Sequence, residues 1–225
     1  MERSSEKRFI QVFNEIRAYI AENKLKPGDR LPTEQELCER LNVSRGVVRE
    51  STKAMELMGL VKSTAGKGCV ICDFNTEMLF ECMLFFMGIS DDKTYESCLL
   101  LRKNLELSYM ESAFRAATEE SIAHVKGILN QCVFQWRRGH FFHADDMQFH
   151  MAIFEPLHDK LLNSLLEAVW HVEELLHPEN ALILDQSRIE KHEQILETLE
   201  ARDLDGFRKA MERHFSSDKY SNIGA

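Results

Sequence analysis

Residues Asp29-Arg-Leu-Pro-Thr-Glu-Gln-Glu-Leu37, followed by Asn42-Val-Ser-Arg-Gly-Val-Val-Arg-Glu50, decide the fold of the first third of this chain. Thr33, three residues before Glu36, spells a capping box, and Pro32 biases Leu31 away from helix, so a helix starts there. Asn42-Val43 breaks its pattern. Ser44 then caps a second helix running to about Met58. On that helix Arg45, Arg49 and Lys53 recur at a spacing of four, while Val48, Met55 and Met58 hold the opposite side. Beyond Gly59, the β-prone runs Leu60–Ser63 and Cys69–Cys72 flank Thr64-Ala-Gly-Lys-Gly68, which predicts a small hairpin. Two short helices, a tight turn and a hairpin form a winged helix-turn-helix.

That layout gives each cation a chemical reason. A guanidinium can chelate O6 and N7 of guanine, so Arg45 and Arg49 near the start of a groove-entering helix are expected to read bases. Lys53, further along, is expected to meet phosphate, and Lys67 at the wing tip to reach a neighbouring groove. The bland alternative for any one of them is a solvated surface charge. Three on one helix face, with a wing behind them, favour DNA.

The segment from Lys26-Pro-Gly-Asp-Arg-Leu-Pro-Thr-Glu34 through Val43-Ser-Arg45 to Val48-Arg-Glu50 resembles the DNA-binding domain of the GntR family of bacterial transcription regulators, over roughly residues 6–72. The resemblance implies DNA contacts at Ser44, Arg45, Gly46, Val47 and Arg49, with the wing at Ala65, Gly66 and Lys67. Gln35 stands where many members carry arginine, and Gly46-Val47 replaces a frequent Thr-Pro. Both differences bear on which operator is read.

Charge divides the chain unevenly. Residues 1–72 hold 13 Lys and Arg against 10 Asp and Glu, net +3, and the remainder 15 against 27, net −12. An acidic whole can therefore present a locally basic face. The charged N-terminus predicts no signal peptide, and Met78–Ile89 is too short, and interrupted by Glu81, to span a bilayer. This apolar run is expected to be a buried helix at a subunit or interdomain contact. Six scattered cysteines suit reduced thiols in a cytoplasm, and Cys69-x-x-Cys72 lacks the second pair or nearby histidine that a zinc knuckle requires.

The expected organisation is a mainly α chain: a DNA-binding domain over 1–73, a linker over 74–77, and an all-α domain of six to seven helices over 78–225. Helical periodicity recurs over 78–88, 94–116, 119–138, 142–156, 160–175, 187–202 and 204–217. Within it, Asp146 and His150 are four apart and project from one helix face. His192 and His214 lie eleven residues on either side of Asp203. If two antiparallel helices turn there, both imidazoles arrive at one level. Asp146, His150, His192 and His214 then converge on one divalent ion, and nitrogen and oxygen donors without thiolate suit Zn, Ni, Mn or Fe.

Residues 95–217 resemble the FCD-type ligand-binding domain of the FadR branch of GntR regulators, through Leu101-Arg102-x-x-Leu105-Glu106, Asp146-x-x-Phe149-His150, His192-x-x-Ile195-Leu196 and Asp203 to His214. The resemblance implies a metal on the same four residues, and an effector site in which Arg102 faces a carboxylate. Arg102 also stands four residues before Glu106, so an ion pair along the helix is the alternative for both. Asp159 falls where the family has Asn. There it caps the next helix and adds a carboxylate near the effector pocket.

The function implied is a cytoplasmic, homodimeric regulator, a repressor by the commoner behaviour of such proteins, which reads a palindromic double-stranded operator and responds to a small carboxylate. Two rivals share the residues. One is a sensor for the ion itself. The other is a metal-dependent hydrolase or lyase fused to a helix-turn-helix, against which no Glu or second histidine is marked by its spacing as a general base, Glu193 and Glu106 being the remaining candidates.

Overall fold

The computed structural model describes residues 2–64, 68–73, 77–89, 92–139, 143–176 and 186–216. Gly66 and Lys67, expected at the wing tip, lie outside the described residues, as do Ala65 and residues 74–76. The chain divides into two compact units, Met1–Asn75 and Thr76–Ala225. The architecture is mainly α, with ten α-helices and one two-stranded sheet among the described residues.

In the first unit, α1 (Glu2–Glu22) sets Val12 and Ile16, one turn apart, into a buried cluster with Val48 and Met55 of α3 (Arg45–Leu57), Leu31, Leu37 and Val61. The helix between them, α2 (Glu34–Leu41), opens on the expected capping box. The Glu36 carboxylate accepts from the Thr33 backbone N–H at 2.8 Å, and the Thr33 hydroxyl accepts from the Glu36 N–H at 3.3 Å. It closes at Asn42, whose φ of +50° is the left-handed conformation that Asn tolerates, and Ser44 caps α3 two residues later.

The wing strands are β1 (Val61–Thr64) and β2 (Gly68–Ile71), antiparallel, with Val61 opposite Ile71 and Thr64 opposite Gly68. Both lie one residue nearer the turn than the sequence spacing predicts. Leu60 explains the shift, since its N–H closes the end of α3 by donating to the Met55 carbonyl at 2.9 Å. The segment Gly28–Leu31 adds itself to β2 from the other side. Leu31 N–H donates to Cys69 O at 2.9 Å and Ile71 N–H to Asp29 O at 2.9 Å, which ties the start of α2 to the wing.

The second unit is all-α among its described residues: α4 (Glu77–Gly88), α5 (Asp92–Ala116), α6 (Glu119–Arg137), α7 (His143–Phe154) with a 3-10 turn Glu155–Leu157, α8 (Lys160–Leu176), α9 (Gln186–Glu200) and α10 (Leu204–His214). Phe149, Phe154, Leu166, Ile195, Phe207, Met211 and Phe215 fill its core. No helix among the described residues is long and apolar enough to cross a membrane.

The expectation of a buried helix at 78–89 holds on one side only. Leu84 of α4 packs with Ala168, Val169 and Val172 of α8, whereas Leu79, Met83, Phe86, Met87 and Ile89 are 44–64% exposed. Apolar residues lie on most sides of this segment, and its neighbours α8 and α5, the latter through Cys98, leave that flank uncovered.

The α9–α10 hairpin turns where the histidine spacing requires. Arg202 takes a left-handed φ of +54°, and the Asp203 carboxylate caps α10 by accepting from the Gly206 N–H at 3.0 Å. Asp203→Ala leaves that N–H to water at an exposed helix start and is expected to cost about 1 kcal/mol, read as a lower urea midpoint with unchanged slope.

Candidate DNA-reading face and candidate metal centre

On the first unit, α3 turns its cations outward because its apolar side is held by Val48 and Met55. Arg45, Gly46, Arg49 and Lys53 are exposed, as are Ser44 at the cap and Gln35 on α2. Val47, the remaining member of the expected contact set on α3, is half-buried and packs against the domain's hydrophobic cluster. Arg49 is not a loose side chain. Its Nε and Nη2 donate to the two carboxylate oxygens of Glu34 at 3.4 and 3.3 Å, so a fork from α2 aims the arginine of α3. Gln35 donates to Glu39 Oε1 at 3.1 Å. A hollow of about 350 Å³ between α2, α3 and the wing is lined by Glu34, Arg49, Lys53, Glu56 and Ser63 among others. An exposed row of cations at a helix start, with two of them one turn apart, is the geometry that enters a major groove.

On the second unit, the helix packing brings the four expected ligands together. His150, His192 and His214, from α7, α9 and α10, each offer a ring nitrogen, and these atoms lie within 4.8 Å of one another. Asp146 Oδ1 stands 3.2 Å from His192 Nε2 and 3.8 Å from His150 Nε2. The rings nest, with His192 and His214 stacked at 4.9 Å between centroids and Phe149 stacked on His192 at 4.3 Å. The hairpin symmetry about Asp203 is what levels the two imidazoles.

The electrostatics suit a cation. His150 Nε2, both ring nitrogens of His192, His214 Nδ1 and Asp146 Oδ1 are buried without a hydrogen-bond partner, which is costly unless something binds them. Burial depresses His192 below the ordinary histidine range and His214 well below it, so both are neutral near pH 7 with lone pairs to give. Burial works to raise the Asp146 carboxyl, but the Arg188 guanidinium and His192 overcome it and hold it well below its ordinary value. These residues fit a divalent ion.

A second tier of buried charge stands behind them. Glu106 Oε2 lies 2.5 Å from His150 Nδ1 and its Oε1 accepts from Arg102 Nε at 2.9 Å. Burial pulls the Glu106 carboxyl up, yet His150 and Arg102 prevail and keep it below its ordinary value. An ionised Glu106 fixes the Nδ1–H tautomer of His150 and leaves Nε2 facing Asp146. The ion pair along α5, foreseen as the alternative for Arg102, is therefore formed. A further carboxylate joins it: Arg102 Nη1 reaches Glu173 Oε2 at 3.4 Å, and its guanidinium carbon lies 3.3 Å from the Trp170 ring centroid. His143 Nε2 stands 3.6 Å from Glu173 Oε1.

Asp159 takes its expected capping role, with Oδ1 accepting from Leu161 and Leu162 N–H at 3.0 and 3.1 Å. Glu193 is exposed on α9, in a hollow with Phe134 and Arg137 of α6. All six cysteines are unbridged.

Sequence reasoning missed Arg188, His143, Trp170 and Glu173. Two had a readable signal: Arg188 precedes His192 by four and His143 precedes Asp146 by three, each on the ligand-bearing face. Glu173 had a weaker one, as a lone charge on the stripe Leu162, Leu166, Val169, Trp170 of α8.

Comparison with known proteins agrees with both units. Residues 10–71 match the gntR family of bacterial regulatory proteins, and residues 98–217 match the FCD domain. The Uxu operon transcriptional regulator of Escherichia coli (strain K12) is 30% identical over 238 residues, covering 98% of this chain and 90% of that protein. The galactonate operon transcriptional repressor of Escherichia coli (strain K12) is 24% identical over 155 residues, 67% of each chain. The structure of Streptococcus agalactiae GntR, 19% identical, superposes with a TM-score of 0.55 over 95% of this chain and 99% of that one, which supports the fold. Relatives and family models alike are transcription regulators rather than enzymes. The chain belongs to the gntR family of bacterial regulatory proteins, with an FCD domain as its C-terminal half, and is a DNA-binding transcriptional regulator.

Proposed function

We propose that this regulator is a homodimeric repressor which holds a divalent ion on Asp146, His150, His192 and His214 and leaves its operator when a small hydroxylated carboxylate binds beside that ion. The observation that carries the reading is the set of buried ring nitrogens and one carboxylate oxygen that have no hydrogen-bond partner. A Zn, Ni, Mn or Fe ion, when bound, supplies Lewis acidity toward oxygen donors. The chain's own residues do the rest. Glu106 sets the tautomer of His150, Arg188 holds Asp146, and Phe149 and Trp170 keep the set dry.

The relative named for galactonate, a monocarboxylate rich in hydroxyls, supports the effector class. The apolar flank of α4, with Phe86 64% exposed, supports a second copy as its cover. Two α3 helices on a two-fold axis would then read a palindromic double-stranded site in the cytoplasm. The acid acts by preferring one arrangement of the protein, and shifts the population only by that difference in affinity.

The test uses duplexes selected from a random library by the purified, zinc-loaded protein. Hydroxy acids are expected to release the selected palindrome, and removal of the ion by a chelator is expected to abolish their effect. Release by zinc alone would favour the ion-sensor reading, and DNA affinity indifferent to chelator and to every acid would sink the proposal.

A further inference from the structure

Two guanidiniums stand next to the metal set among the described residues, and they are in opposite situations. Arg102 is 2% exposed, bonded at Nε to Glu106 and at Nη1 to Glu173, and covered by the Trp170 ring at 3.3 Å and the Phe215 ring at 5.7 Å. An acid that took Arg102 for itself would leave Glu106 or Glu173 as an unpaired charge in the core, which is strongly unfavourable. Glu106 is also committed to His150, so disturbing it would disturb a ligand.

Arg188 differs in each respect. Its side chain is 27% exposed, and among the described residues it makes a single polar contact, Nη1 to Asp146 Oδ2 at 3.2 Å. A guanidinium carries five donors in a planar fork, so an edge matched to a carboxylate is still available. Arg188 sits one turn before His192 on α9, and its partner Asp146 touches both His192 and His150. It is the cation at this centre that solvent can reach. A carboxylate held there would lie beside Asp146, with the remainder of the molecule directed at the ion.

We propose that Arg188 receives the carboxylate of the effector, and that Arg102 is an internal counter-ion which orients His150 through Glu106. This rests on the metal-and-acid reading above, and assigns that site's anion-reading residue.

The experiment is calorimetric titration of the zinc-loaded full chain with D-galactonate, L-lactate and the uncharged galactitol, on wild type, Arg188→Met, Arg188→Lys and Arg102→Met, with zinc per chain measured on each. Because Arg188 also holds Asp146, its variants are titrated at zinc concentrations that keep the site filled, and there Arg188→Met is expected to weaken acid binding about 100-fold, to the level of galactitol, with Arg188→Lys between. Arg102→Met is expected to lose zinc affinity about 10- to 100-fold, as changes behind a ligating histidine do. If Arg102→Met does not fold, the Arg188 variants decide. Acid binding by Arg188→Met at wild-type affinity would overturn this assignment while sparing the effector reading. An Arg102→Met protein that keeps its zinc and loses the acid would also overturn it. Wild type that binds none of the acids would bring down both.

Discussion

Alanine at Arg45 and Arg49 together is expected to remove specific operator binding and leave the fold untouched. Both side chains are exposed on the outer face of α3, and neither contributes to the cluster of Val12, Ile16, Val48 and Met55 that holds the helix in place. A bidentate contact from arginine to guanine is worth about 1–3 kcal/mol of discrimination, so losing two weakens specific binding on the order of 30- to 10⁴-fold. Non-specific affinity, carried by phosphate contacts, falls much less. Fluorescence anisotropy on cognate and scrambled duplexes separates the two, with thermal melting as the control for folding.

The pair should not behave identically. Glu34 grips Arg49 through Nε and Nη2, which holds the guanidinium in one orientation before DNA arrives. Arg45 is exposed and has no such partner among the described residues. Lys53→Ala, by contrast, should weaken cognate and scrambled duplexes alike and flatten the salt dependence by about one counterion. Cognate affinity unchanged in the double arginine variant would refute the assignment of α3 as the recognition helix.

What was legible in the sequence follows from which interactions are local. The start of α2 was readable because a capping box lies within four residues, and the α9–α10 turn because the cap at Asp203 and a ligand symmetry about it coincide. The hairpin keeps the register that the spacing predicts, but its strand bounds moved by one toward the turn, where Leu60 serves the end of α3 through a backbone bond to Met55 that strand propensity does not encode. Gly28–Leu31 joining β2 was illegible for the same reason.

At the candidate metal centre, the four expected ligands could be brought together because each pair is related by helix geometry or by the hairpin. The roles of Arg102 and Arg188 could not. Arg102 meets Glu173 across 71 residues of sequence, and Arg188 meets Asp146 across 42, pairings that only packing creates. A family pattern points to an arginine. Only the partners show whether that arginine is still open to a ligand.

The largest effect on the second unit is expected from His192→Ala combined with His214→Ala, which should lose stoichiometric metal. Two of the three imidazoles whose nitrogens gather within 4.8 Å are then gone, and one histidine with one aspartate from a single helix remains. Metal bound to the folded chain stabilises it by RT ln(1 + [M]/Kd), about 4 kcal/mol at a thousandfold excess over Kd, which for a domain of this size raises Tm on the order of 10 °C. Wild type should show that rise on zinc addition and lose it to chelator, and the double variant should show neither.

The metal-free proteins give the sharper comparison. In wild type the core carries ring nitrogens of His192 and His214 without partners, each a liability of about 1–3 kcal/mol. Removing the rings relieves that liability while opening space beside Phe149 and His150, and the two effects oppose. The metal-free variant should therefore melt close to metal-free wild type, so the missing response to zinc cannot be put down to a collapsed domain. Full metal content in the double variant by elemental analysis would show that these imidazoles are ordinary core residues, and the regulator would then have to sense its signal elsewhere.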